Sequence, residues 1–200
     1  MDLLDAILEM KERTRELKPL DQNIPNNETP DICSQCKGHC CKTVGCEWSV
    51  EDFKKHYGEV TEENIKKALA DGKIALDWWE GDYRTTVGIP VDENDLYGQC
   101  YYFRMRHIGE EAICPSWGGT CVALTETGCS YSWEDRPLGG RQTTPRFDRL
   151  DEDGVPICTR DNSKLDFLHD WFPYNDLLEK ICDELYPSMC KGLLDRLNID

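Results

Sequence analysis

Four cysteines fall within nine residues, Cys33-Ser-Gln-Cys36-Lys-Gly-His-Cys40-Cys41, and a second set, Cys114, Cys121 and Cys129, follows some eighty residues later. Thiolates this close together are chelating groups. Cys33 and Cys36 have the two-residue spacing that lets one tight turn set both sulfurs on one ion, and Gly38 allows the backbone to curl beneath it. Adjacent cysteines point apart, so one of Cys40 and Cys41 is expected to share that ion. The other is left for a second metal, a cluster edge or the core. Three local thiolates leave one position for a distant ligand, which the second cysteine group can supply. The order C-x2-C-x3-C-C is neither the C-x3-C-x2-C of radical SAM enzymes nor the C-x2-C-x2-C-x3-C-P run of bacterial ferredoxins. The spacing therefore points to a metal site without choosing the metal. His39, inside the knot, is a further candidate ligand, whereas Cys100, Cys182 and Cys190 lie on apolar segments and read as core cysteines.

The second group carries a more particular pattern: Cys121-Val-Ala-Leu, then Gly128-Cys129-Ser-Tyr131, then Arg136-Pro137 and Arg141. Together with the first cluster, over roughly residues 33–145, it resembles the cysteine-cluster family of zinc- or iron-chelating domains. The resemblance implies a chelating role for Cys33, Cys36, Cys40, Cys41, Cys121 and Cys129. The family cysteine after the Arg-Pro pair falls on Gly140 here, so either the site has one ligand fewer or Cys114, Cys158 or Cys46 substitutes. Relatives of this domain that are associated with flagellin lysine methylation carry an iron–sulfur cluster, which keeps a 4Fe-4S or other iron–sulfur centre beside plain zinc; such an analogy does not establish an activity. Arg136 and Arg141 are candidates to donate hydrogen bonds toward the thiolate sulfurs and tune the centre.

The composition narrows the surroundings of such a site. The 200-residue chain has 39 Asp and Glu against 23 Lys and Arg, a formal charge of −16. A chain so acidic is repelled by phosphate backbones and anionic lipid surfaces. Nucleic-acid binding and membrane binding are therefore disfavoured, and a basic protein partner or a neutral ligand is left open. Hydrophobic residues make up 39%, below the roughly 45–50% usual for globular domains. Metal ligation can supply folding free energy that a modest core does not, on the order of 10 kcal/mol in small structural zinc sites. The N-terminal MDLLDAILEMKERTREL is too charged for a signal-peptide core, and no run approaches the ~20 apolar residues of a membrane span. The expectation is a cytoplasmic protein, where twelve cysteines argue for metal or redox chemistry rather than disulfides. In an exported chain, six disulfides would be the competing reading.

The elements that must position these cysteines follow from periodicity. Residues 2–17 show helical spacing (Leu3, Ile7, Met10, Thr14, Leu17), giving an N-terminal docking helix over 1–20, followed by a linker over 21–32. Ser49 with Asp52 predicts a cap opening one helix, and Thr61 opens another, closed by Gly72. Ile74 to Trp79 and Gln99 to His107 read as strands, with Arg104 and Arg106 on one face and Phe103 and Met105 on the other. Residues 113–149, with Gly118-Gly119, Gly128 and Gly139-Gly140, read as loop-rich. The C-terminal part over 161–200 returns to helix, with breaks expected at Pro173 and Pro187. The fold class is α+β: a small, irregular, loop-rich metal-binding domain over 33–160 with short strands, flanked by N- and C-terminal helices.

No Gly-rich phosphate loop, G-x-S-x-G elbow, H-E-x-x-H or kinase motif is present. The expected function is a metal-binding protein with a structural or accessory role. The alternatives are an iron–sulfur enzyme or accessory subunit, in group transfer such as protein lysine methylation or in redox chemistry, and a metal storage or delivery protein.

Overall fold

The structure, a computed structural model, describes residues 17, 20–26, 38, 41–42, 46–115, 118–152, 154, 156–160 and 164–197, with side chains described except at 145–149, 164 and 188–197. Residues 2–16 of the expected N-terminal helix and the thiolates of Cys33, Cys36 and Cys40 lie outside these residues, and Leu17 is not helical.

Helix α1 (Val50–Tyr57) begins where the sequence places its cap. The Ser49 hydroxyl accepts from the Asp52 amide at 3.0 Å, and the Asp52 carboxylate accepts in return from the Ser49 amide at 3.2 Å. This reciprocal pair satisfies two amides that a helix start leaves bare. Helix α2 (Glu62–Ala70) is capped by Thr61, and Gly72 just beyond its end takes a φ of +78°, the left-handed conformation that closes helices.

Strand β1 (Ile74–Glu80) runs antiparallel to β2 (Gln99–Met105), with Ile74 opposite Met105 and Glu80 opposite Gln99. The connection between them holds the single helical turn α3 (Tyr83–Thr86) and a 3-10 turn at Glu93–Asp95. Both edges of the pair are extended by irregular chain. The Met105 amide donates to the Cys46 carbonyl at 2.8 Å and the Trp48 amide to the Phe103 carbonyl at 2.9 Å, which lays residues 46–48 along β2. On the far edge, the Leu76 amide bonds the Ala112 carbonyl at 2.8 Å and the Cys114 amide bonds the Leu76 carbonyl at 3.1 Å. The sheet therefore reads 46–48, β2, β1, 112–114.

One face of this sheet is an aromatic core. Phe103 stacks on Phe53 of α1 with centroids 5.4 Å apart, and Trp171 meets both rings edge-on. The indole of Trp171 donates to the Trp48 carbonyl at 2.7 Å, so the buried nitrogen costs nothing. Trp171 ends helix α5 (Lys164–Trp171), and after a 3-10 turn at Phe172–Tyr174 helix α6 (Asn175–Leu197) packs Leu178, Ile181 and Cys182 on the same core.

The other face carries charge, as the alternation of Arg104 with Phe103 and Met105 predicts. Arg104 is 2% exposed, yet all five of its donors are met. Nε donates to Asp77 at 2.7 Å, Nη1 to Glu110 and the Met105 carbonyl, and Nη2 to Glu110 and the Cys114 carbonyl. Arg106 donates to the Glu110 carbonyl beside it.

The loop-rich region 113–149 holds short elements: β3 (Leu124–Thr125) and β4 (Gly128–Cys129) form a short hairpin, α4 (Leu138–Arg141) is a single turn, and β5 (Thr143–Leu150) opens a ribbon with β6 (Pro156–Arg160). Pro145 argues against a strand, but here it sits in a two-stranded ribbon, opposite Cys158. Helix α6 also runs through Pro187 rather than ending there. A proline removes one helical hydrogen bond, and at this exposed site water can meet the freed carbonyl. The whole is mixed α+β, loop-rich, with its long helices at the C-terminal end. Among the described residues no helix is long and apolar enough to cross a membrane.

Candidate metal centre

The two cysteine groups approach each other at two described points. The Cys121 amide donates to the Cys41 carbonyl at 2.7 Å. Gly38, buried in the first group, has a φ of +75°, and a Cβ built on it would lie 2.2 Å from Cδ1 of Leu124. The sequence assigns Gly38 the task of letting the cysteine loop curl, and the close approach to Leu124 requires the same residue type. Leu124 in turn stands opposite Cys129 across the β3–β4 hairpin. Gly38 and Cys41 thus lie against the segments that carry Leu124 and Cys121.

Cys121 pairs with His107 at the end of β2, and the Val122 amide donates to the Arg106 carbonyl at 3.0 Å. This fixes the loop by backbone bonds that do not depend on its side chains. The Cys121 sulfur is buried and accepts from the Ala123 amide at 3.4 Å. Amide-to-sulfur bonds of this kind support a thiolate and adjust a bound metal. Cys41 and Cys129 are half-buried and pack on the edge of the core.

Tyr131, two residues after Cys129, packs against Trp48 and His56 at centroid distances of 6.5 and 6.0 Å. Burial pushes its hydroxyl up to about 12, with Asp71, Cys129 and Cys121 adding to the effect. The following turn is clamped to α1: Lys55 forms an ion pair with Asp135 at 3.0 Å, and the His56 ring is 3.1 Å from the Asp135 carbonyl. Helix α1 therefore anchors the second cysteine loop from outside.

Of the two arginines singled out in the sequence, Arg141 reaches Asp52 at 3.0 Å, the Arg136 carbonyl, and Gln22 at 3.4 Å. These partners are oxygen atoms, not sulfurs. Asp52 also accepts from the Leu138 amide at 2.7 Å, so the carboxylate that caps α1 holds the turn following Arg136-Pro137. The Arg136 guanidinium lies over the Trp133 ring, 5.4 Å from its centroid.

The three candidate substitutes lie on three different segments. Cys114 lies on the outer edge, beyond β1, where burial pushes its thiol up. Cys158 is in β6, opposite Pro145. Cys46 lies along β2, and a Cβ built on Gly140 would stand 3.6 Å from its sulfur. The Glu47–Arg160 ion pair beside Cys46 and the Asp77–Arg104–Glu110 cluster have no motif in the sequence, because their partners are far apart in the chain.

Compared with known proteins, the chain matches no family model, no curated protein and no solved structure. Among the described residues, no three Cys, His, Asp or Glu side chains gather into a metal-holding group; Cys33, Cys36, Cys40 and His39 are outside them. What can be tested is fit. The donors are soft thiolates, the set that suits zinc and iron–sulfur clusters, and the Gly38–Leu124 approach seats one group on the other. Cys41, Cys121 and Cys129 are among the described residues and do not by themselves form a metal-holding group.

Proposed function

We propose that this chain is a metal-binding protein holding zinc or an iron–sulfur cluster through the cysteine groups at 33–41 and 121–129, with a structural or accessory role. The observation that carries the reading is the hydrogen bond from the Cys121 amide to the Cys41 carbonyl. It brings two chelating segments to one place from distant parts of the chain. The resemblance to the cysteine-cluster family supplies the ligand set: Cys33, Cys36, Cys40, Cys41, Cys121 and Cys129. In this reading the protein is cytoplasmic, where its thiols stay reduced, and its acidic surface suits a basic or neutral protein partner.

The ring contacts among Phe53, Phe103 and Trp171 involve no cysteine, although Cys121 is buried in the same core and Cys41 and Cys129 pack against it. In this reading the aromatic contacts keep the body folded when the metal is lost. Cys36→Ser and Cys121→Ser, each purified without oxygen, are expected to lose bound metal while keeping the near-ultraviolet circular dichroism of the buried tryptophans. Full metal content in Cys121→Ser would contradict a shared centre.

A further inference from the structure

We infer that the cavity between the turn after α2 and the second cysteine loop binds a small organic carboxylate, with Arg106 as the charge that holds it. The inference stands apart from the metal-binding reading above. The cavity measures about 260 Å³ and is lined by Gly72, Lys73, Val122, Ala123, Ser130 and Tyr131. Ligand sites join apolar walls to a few convergent polar groups. Val122, Ala123 and Tyr131 supply the walls here, and Lys73 and Ser130 the polar groups. No carboxylate lines the cavity, although the chain carries −16 overall.

Two lining residues place Arg106 at the edge of this cavity. The Val122 amide donates to the Arg106 carbonyl at 3.0 Å, and residues paired across strands share a face. A Cβ built on Gly72 would stand 3.9 Å from Nη1 of Arg106. The guanidinium is half-buried, and its Nε and Nη2 donate to the Glu110 carbonyl at 2.9 and 2.6 Å. The Glu110 carboxylate is turned instead to Arg104 and His107. Among the described residues, therefore, Arg106 meets a carbonyl and no carboxylate, and its Nη1 donors stay uncommitted. Burial pushes its guanidinium down, the direction expected of a cation short of counter-charge. Lys73 is shared with Asp71, 3.0 Å away, which leaves Arg106 the main charge. A carboxylate accepts charge-assisted hydrogen bonds from a guanidinium; its hydrocarbon part would rest on Val122 and Ala123.

The test titrates butyrate into the isotope-labelled full chain at constant ionic strength and follows its amides by NMR, with the neutral isostere butyramide as control. Saturable shifts at Gly72, Lys73, Val122 and Ser130 are expected with butyrate, and binding about tenfold weaker with butyramide, the loss of one charge-assisted contact. Arg106→Gln, still folded by circular dichroism, is expected to weaken butyrate by about the same factor. Lys73→Gln, at an exposed site, is expected to weaken it by less and keeps the test decisive should Arg106→Gln not fold. No saturable shift at these amides, equal binding of butyramide, or wild-type affinity in either folded variant overturns the inference.

Discussion

The Cys41 carbonyl and the Cys121 amide, about eighty positions apart in the chain, share a hydrogen bond of 2.7 Å. Because backbone atoms make it, the contact holds the two cysteine segments together whether or not a metal is bound. In the proposed metal-binding reading, a contact made by the backbone lowers the ordering cost of binding.

Gly38 is the most sensitive non-cysteine position of that arrangement. Its φ of +75° and the 2.2 Å approach of a built Cβ to Leu124 both oppose a side chain. Gly38→Ala should lower stability by about 1–3 kcal/mol through strain and overpacking, read as a fall in Tm. Shortening the neighbour in Gly38→Ala/Leu124→Ala should return the part of the loss due to contact. A wild-type Tm in Gly38→Ala would contradict the close packing of the two segments.

Arg104 is the buried charge on which the sheet's polar face depends. Removing it leaves the Asp77 and Glu110 carboxylates desolvated without their guanidinium partner, with only the Tyr102 hydroxyl, the Trp78 amide and the His107 amide and ring to answer them. Arg104→Met should cost about 3–5 kcal/mol, measured by urea unfolding.

Asp170 gives the fold a pH dependence of known sign. Burial raises its carboxyl above the ordinary range, Asp52 and Glu51 add to the rise, and a hydrogen bond from the Val50 amide opposes it. The folded state therefore holds the proton more tightly than the unfolded chain. This contribution is fully present below the ordinary aspartate value and is lost as pH rises through the elevated one. In Asp170→Asn the stability lost across that window should shrink, seen in urea midpoints collected from pH 4 upward. An unchanged pH profile would show that Asp170 is not a source of the dependence.

What the sequence discloses here is local. The caps at Ser49 and Thr61 are legible because a hydroxyl and an amide three residues on decide them, and Gly72 because only one backbone region closes the helix. Cys100 and Cys182 read correctly as core cysteines, and burial pushes the Cys100 thiol up to about 11. The alternation through Arg104 gives the strand its two faces. The partners of Arg104 are not legible, since Asp77 and Glu110 sit in other segments and scattered acids carry no pattern. The same holds for Cys46: only the pairing of residues 46–48 with β2 places its sulfur beside Gly140. Pro187 misleads because the rule that prolines end helices weakens at exposed sites.

The central claim is tested most directly by metal analysis with an absorption spectrum on protein purified without oxygen. A broad band near 400 nm with iron and acid-labile sulfide, or a colourless protein with bound zinc, is the result the account predicts, and the two outcomes choose between its metals. Protein free of both metals, with the cysteines of both groups titrating as free thiols, would contradict it.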